Sequence, residues 1–238
     1  MKRLTAPYFE RHPVECARDL IGCVFEWRGC AGRIVETEAY TAEGDPACHT
    51  FFRPGARRFV QSHEAGTAYV YLNYGVHWLF NVLVKGPDMA GFVLFRALEP
   101  TSGIGEMAER RGVADLRHLC SGPGKLTKAL GIGGTVHGTT FLEGPETGIF
   151  AGMNAGVLEG ERIGISRGRE LPWRFHETAN RHVSRCGDGT GDGNRTHASS
   201  LGSSRSTIEL HPPAAGTGAS YLPLAFNAIQ NAGIAHHP

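Results

Sequence analysis

Neither sign of charge prevails in this chain: 24 lysines and arginines face 23 aspartates and glutamates, leaving a formal net charge of +1. Bulk attraction to a polyanion is therefore not an organising feature, and any polyanionic partner must meet a locally basic face. No apolar run approaches the roughly 20 residues that a membrane-spanning helix requires, so no membrane partner is expected. The start, Met1-Lys2-Arg3-Leu4-Thr5-Ala6-Pro7, leads into polar residues, which argues against export and for a cytoplasmic protein. Cys16, Cys23, Cys30, Cys48, Cys120 and Cys186 include no Cys-x-x-Cys pair, which predicts reduced thiols in place of a disulfide framework. The twelve histidines show no His-x3-His or His-Glu-x-x-His spacing, so no metal and no cofactor are expected.

What is present suffices for one domain plus a tail. At 238 residues and 41% hydrophobic content the chain can bury a sizeable core. Val14, Ala17, Leu20 and Ile21 stand at helical spacing behind Pro13, predicting a short helix over 13–21. Runs at 23–27 and 32–40, joined by Arg28-Gly29-Cys30, read as a hairpin. The two-residue period of its second strand puts Glu36, Glu38 and Tyr40 on one face and Val35, Thr37 and Ala39 on the other. Residues 43–66 look turn-rich and carry Arg53, Arg57 and Arg58. A second hairpin is predicted over 68–72 and 76–84, with Asn73-Tyr74-Gly75 at its tip, where positive φ is often required. A further apolar strand covers 92–98. Helices follow at 104–111 and 123–130, the second with Ser121 as a plausible cap and Pro123 in its first turn. Short glycine-punctuated strands over 138–169 and one last segment over 171–185 complete the pattern. These elements predict an α+β class: a single mixed domain over 1–185 with a curved, mainly antiparallel sheet, flanking helices and a protruding β-hairpin.

Composition changes from Cys186 onward. The last 53 residues hold five charged side chains and are rich in Gly, Ser, Thr and Ala, which predicts disorder over 186–238. Asn194-Arg195-Thr196 can be encoded by AAT-CGA-ACC, the complement of a transfer-RNA T-arm sequence, so this segment reads as a spurious read-through tail. The nucleotide sequence under codons 188–212 decides this, and absence of a transfer-RNA gene there would end the idea.

Two aromatic-rich segments carry the chemistry. Glu38 lies two residues from Tyr40 and shortly before His49; Tyr69, Tyr71 and Tyr74 follow within six positions of one another. A carboxylate of this kind can activate water, while Tyr40, His49 and Tyr71 can sandwich a planar ring, stacking being worth roughly 1–3 kcal/mol per base. Two glutamates on a strand also describe a solvated face, and strand tyrosines also describe core. Tyr74, a bulky aromatic at a hairpin tip, is either a wedge for a base stack or a side chain folded back on the sheet. Asn81 and Arg96 interrupt apolar strands, so each needs a polar partner or a pocket; Glu36 or Glu99 would satisfy Arg96. Ser121-Gly122-Pro123-Gly124-Lys125 lacks the spacing of a nucleotide-hydrolysing phosphate loop, yet a helix start with Lys125 can hold one phosphate. The combination suits an enzyme that extrudes a base from a duplex and cuts it from its sugar.

In this order the pieces resemble the alkyladenine (3-methyladenine) DNA glycosylase family. The anchors are Ala17-Arg18-Asp19-Leu20-Ile21-Gly22, Arg33 through Tyr40, Asp45-Pro46-Ala47-Cys48-His49, Tyr69 through Gly75, Arg96-Ala97-Leu98-Glu99-Pro100 and Ser121 through Leu126. The resemblance implies Glu38 as the base that activates water against C1′, with Arg96 beside it. Tyr40, His49 and Tyr71 would be base-pocket walls, and Asn81 the amide that rejects guanine. Tyr74 would replace the flipped nucleotide in the minor groove, and no lysine matches a Schiff-base nucleophile. It further implies a monofunctional base-excision enzyme, acting as a monomer on double-stranded DNA with damaged purines, in a bacterial-type, nucleoid-associated setting. Residues 54–64 depart from the family's Thr-x-Arg-Asn-like stretch and Met-Phe pair, leaving Arg57 and Arg58 as phosphate-contact candidates. A non-catalytic damage-binding module and a nucleoside hydrolase remain as alternatives at this stage.

Overall fold

The computed structural model describes residues 1–153 and 156–184. The expected read-through tail lies outside the described residues. A 3-10 turn, Ala6–Phe9, precedes helix α1, Pro13–Asp19, which has Pro13 in its first turn and the His12 side chain accepting from the Val14 N–H. The first hairpin pairs β1, Val24–Trp27, with β2, Cys30–Thr41, through a turn in which Arg28 and Gly29 both take positive φ. The second hairpin pairs β3, Ala68–Asn73, with β4, His77–Lys85. Strand β5, Ala90–Ser102, is nearly twice the predicted length.

Residues 43–66 are not the turn-rich segment expected. They fold into two helices, α2, His49–Phe52, and α3, Pro54–Ser62. Pro54 occupies the first turn of α3, where its missing N–H costs nothing, and Ala56 and Phe59, three apart, turn their side chains inward. The signal was present but short, and Arg and Gly around it masked it.

Helices α4, Ile104–Arg111, α5, Leu116–Leu119, and α6, Pro123–Leu130, follow β5. Ser121 does not cap α6: Gly122 takes the N-cap position, and Ser121 bridges back to Ala97. Strands β6, Thr147–Phe150, β7, Val157–Gly160, and β8, Arg174–Glu177, complete a curled antiparallel sheet. Its order is β3-β4-β5-β2-β1-β6, with β8 pairing both β2 and β7. Strand β2 is thus the hub. Its far side is covered by β1 near Ala31–Arg33 and by β8 over Glu36–Glu38, so residues 36–38 are closed in between β5 and β8.

The sheet buries its two faces differently. On one, Val70, Phe80, Val82, Val93, Phe95 and Ala39 join α1, α6 and Phe25 in the main core. Phe25, Phe80 and Phe95 meet with centroids 5.2 to 5.3 Å apart, and the Thr37 hydroxyl donates to the Ala17 carbonyl. The other face carries a smaller cluster, Cys48, Ala56, Phe59, Tyr69, Leu83 and Phe92, with Tyr40 and Tyr71 packed at its margin. Cys16, Cys23, Cys30, Cys48 and Cys120 are free thiols, as expected. Among the described residues no helix is long and apolar enough to cross a membrane.

Candidate active site and nucleic-acid interface

The second face owes its composition to register. Glu38 of β2 pairs with Leu94 of β5, Leu94 with Asn81 of β4, and Asn81 with Tyr69 of β3, so one row across four strands points these side chains the same way. Two irregularities flank the row: β2 carries an extra residue near Val35, and β5 an extra one at Arg96. Bulges re-aim side chains, and here Arg96 reaches both carboxylates of β2.

Glu36 and Glu38 are fully buried, and their partners separate their roles. Glu36 Oε1 accepts from Arg96 Nε at 3.1 Å and Arg174 Nε at 2.6 Å, and Oε2 accepts from the Ser184 N–H at 2.7 Å. Its charge is consumed in structure. Glu38 accepts from the Tyr40 hydroxyl at 2.7 Å and the Ile163 N–H at 2.7 Å, with Arg96 Nη1 at 3.3 Å. An ionised carboxylate has about four acceptor positions, so Glu38 keeps acceptor capacity beyond these partners. Two carboxylates and two guanidiniums make the cluster formally neutral, which is what allows such burial.

Tyr40, His49 and Tyr71 come together at the rim of this face, each partly exposed. The expected gap between rings is not open. His49 and Tyr71 touch edge to face, with centroids 4.3 Å apart, and the Tyr40 hydroxyl lies on Glu38, which has no exposed surface. One face of the Tyr40 ring is covered by the Arg162 guanidinium, 4.7 Å from its centroid, leaving only the other for a ligand. His49 Nδ1 pairs with the Tyr69 hydroxyl at 2.9 Å; burial first, then the Arg53 charge, lowers the His49 pKa to about 4, so the ring is neutral near pH 7. Burial, reinforced by the Glu38 charge, pushes the Tyr40 hydroxyl well above its ordinary value and keeps it a donor.

Asn81 is buried and donates through Nδ2 to the Tyr69 carbonyl at 3.1 Å, and among the described residues no donor reaches its Oδ1. Tyr69 belongs to the core cluster. Tyr74 does not: it is 86% exposed, with Leu72 and Val76 also exposed beside it. The turn is closed by the Val76 N–H on the Asn73 carbonyl, and the positive φ falls on Tyr74 (49°) and Gly75 (70°), not on Asn73. A tyrosine in the left-handed region costs about 1–2 kcal/mol, as does Arg28 in the turn of the first hairpin.

The phosphate-contact candidates divide. Arg57 donates to the carbonyls of Thr50 and Phe51 and so caps α2, while Arg58 is exposed. Lys125 is exposed at the start of α6, which is brought close to the hairpin because a Cβ on Gly124 would stand 2.9 Å from His77 Cβ. Burial, then Arg111, lowers the Lys125 pKa.

Several site residues escaped the sequence reading. Arg174 lies in the alternation Trp173-Arg174-Phe175-His176, the same charge-in-a-strand signal that marked Arg96. Arg162 and Asp45 form a fully buried ion pair, and Ile163 supplies a backbone donor. Phe52, 52% exposed, stands against His49 with centroids 5.5 Å apart, and Arg53 lies over both Phe52 and Tyr71. A backbone donor leaves no mark on residue type, and a pair 117 positions apart shows no local pattern.

The sequence that folds into this arrangement is similar to those of known proteins. Residues 7–181 match the family described as Methylpurine-DNA glycosylase (MPG). A protein of Chlorobaculum parvum, provisionally named 3-methyladenine DNA glycosylase, is 42% identical over 196 residues, covering 77% of this chain and 91% of the relative. Proteins of Rhodopseudomonas palustris and Bradyrhizobium diazoefficiens, under the same provisional name, are 43% and 42% identical, each over 77% of this chain and 91% and 92% of their own lengths. The chain belongs to the methylpurine-DNA glycosylase family. It is a DNA glycosylase, a hydrolase of base-excision repair.

Proposed function

We propose that this glycosylase flips an alkylated or deaminated purine out of duplex DNA and hydrolyses its N-glycosidic bond with a water that Glu38 activates. The observation that carries the reading is the difference between the two carboxylates in the partners that hold them. Glu36 is bound by two guanidiniums, Arg96 and Arg174, and the Ser184 N–H, whereas Glu38 accepts from the Tyr40 hydroxyl and the Ile163 N–H and has one guanidinium, Arg96, beside it. A water on Glu38 attacks C1′ and yields a proton to the carboxylate, and the C1′–N bond breaks with its electron pair leaving on the purine. An N-alkylated purine starts cationic and departs neutral, so it needs no proton donor. A neutral deaminated purine takes up a proton from solvent as it leaves.

A neutral His49 suits a cationic base, since an imidazolium there would repel it. Opening the His49–Tyr71 contact, or stacking on the uncovered face of Tyr40, admits the base, and Asn81 meets its edge. Tyr74 fills the space vacated in the duplex, at an unstacking cost of about a few kcal/mol per step. On this reading the protein acts as a monomer on nucleoid DNA in the bacterial cytoplasm.

The test is excision from duplexes that each carry one 3-methyladenine, 7-methylguanine, hypoxanthine or ethenoadenine, followed by alkali. The reading predicts strand breaks at one or more lesions only after alkali. No alkali-dependent break at any lesion, or cleavage without alkali, contradicts it.

A further inference from the structure

We infer that Arg162, held by Asp45, is a positioning residue for the reaction: it fixes the two hydrogen bonds that aim the Glu38 carboxylate. This rests on Glu38 being the water-activating group. The pair is fully buried and bidentate, with Nη1 2.5 Å from Asp45 Oδ2 and Nη2 2.9 Å from Asp45 Oδ1. The same nitrogens donate to the carbonyls of Ala39 and Gly168, each at 2.9 Å. One side chain therefore ties β2 beside Glu38, the turn after β2, and the loop 161–168.

Both ties end at Glu38. Ile163, the residue after Arg162, gives its N–H to Glu38 Oε1, so holding Arg162 holds that donor. The guanidinium also lies against the ring of Tyr40, whose hydroxyl donates to Glu38 Oε2. The back of the guanidinium region is closed by Trp173, 5.3 Å away. Asp45 in turn accepts from the Ala47 N–H, so the carboxylate is itself held by the turn that leads into His49.

Stability does not account for such a pair. Desolvating two charges is costly, and an apolar pair of similar volume is often equally stable. What apolar residues cannot do is join three backbone segments through planar, directional donors, and a lysine cannot reproduce the fork. Displacement of a reacting group by about 1 Å can cost about 100-fold in rate. The function of the pair is then geometric: it keeps Glu38 Oε1 and Oε2 where a water can lie between the carboxylate and C1′.

The experiment compares R162K and D45N with the parent and with E38Q. Single-turnover excision is measured on the lesion duplex that the parent cuts fastest, and Kd on a duplex with a tetrahydrofuran abasic analogue. Both variants are expected to lose about 10- to 100-fold in excision while Kd stays within about threefold, and R162K is expected to add no further loss in the E38Q background. Parental excision in either folded variant, or rate and Kd weakening in proportion, overturns the inference. D45N is isosteric and keeps an acceptor for Ala47, so it carries the test if R162K does not fold. E38Q excising at the parental rate would instead overturn the role of Glu38, whereas inactive E38Q beside fully active R162K and D45N overturns only the role of the pair.

Discussion

Two glutamates two positions apart have opposite work. Glu36 neutralises Arg96 and Arg174 inside the protein, so E36Q leaves buried charge uncompensated. It is expected to lower stability by about 3–5 kcal/mol, read as a fall in the urea midpoint. E38Q removes one charge from the same cluster, and its single amide oxygen replaces only one of the two oxygens that Tyr40 and Ile163 occupy, so it too should lower the urea midpoint. His49 gives a second prediction. Its folded pKa of about 4 lies below the ordinary 6.5, so the folded state resists a proton that the unfolded chain accepts. Its contribution to stability is complete above pH 6.5 and is lost as pH falls toward 4. The urea midpoint should drop over that window, and H49Q should remove this part of the drop; an unchanged pH dependence in H49Q would refute the assignment.

The elements were legible where a periodic pattern coincided with turn residues. Arg28-Gly29 and Tyr74-Gly75 announced both hairpins, and Pro13 and Pro123 opened two helices. The α2–α3 pair was missed because its inward residues are few, and Ser121 was taken for a cap because residue type alone cannot show that Gly122 enters the helix with φ of 148°. The candidate site was legible as far as it lies on strands: period-two spacing put Glu36, Glu38 and Tyr40 on one face, and Asn81 and Arg96 stood out as polar residues in apolar runs. Arg162, Ile163 and Asp45 were not, since loops that meet only in three dimensions carry no sequence period. The hairpin tip supplies its own prediction. Tyr74→Gly retains the positive φ at lower strain, so the melting temperature should hold or rise. Excision from duplex should nevertheless fall about tenfold or more, a loss of about 1.4 kcal/mol, with less effect on single-stranded substrate. Equal loss on both substrates would mean that Tyr74 does not act by distorting a duplex.

At the scale of the molecule, a protein with a net charge of only +1 must recognise a polyanion by placement rather than by bulk potential. The exposed aromatic tip, Phe52, Arg53, Arg58 and Lys125 face outward, and the carboxylates of Glu36, Glu38 and Asp45 are inside and paired. The family match ends at residue 181, and the Ser184 N–H on Glu36 closes the face that carries Glu38. A protein ending after Arg185 is therefore expected to excise at the parental rate within about twofold, and loss of activity on truncation would show that 186–238 contribute to the enzyme. The account stands or falls on Glu38. Single-turnover excision by E38Q, on the lesion the parent removes fastest, should drop by about 100- to 10,000-fold while binding to an abasic-analogue duplex is retained. Excision by E38Q at the parental rate would contradict it.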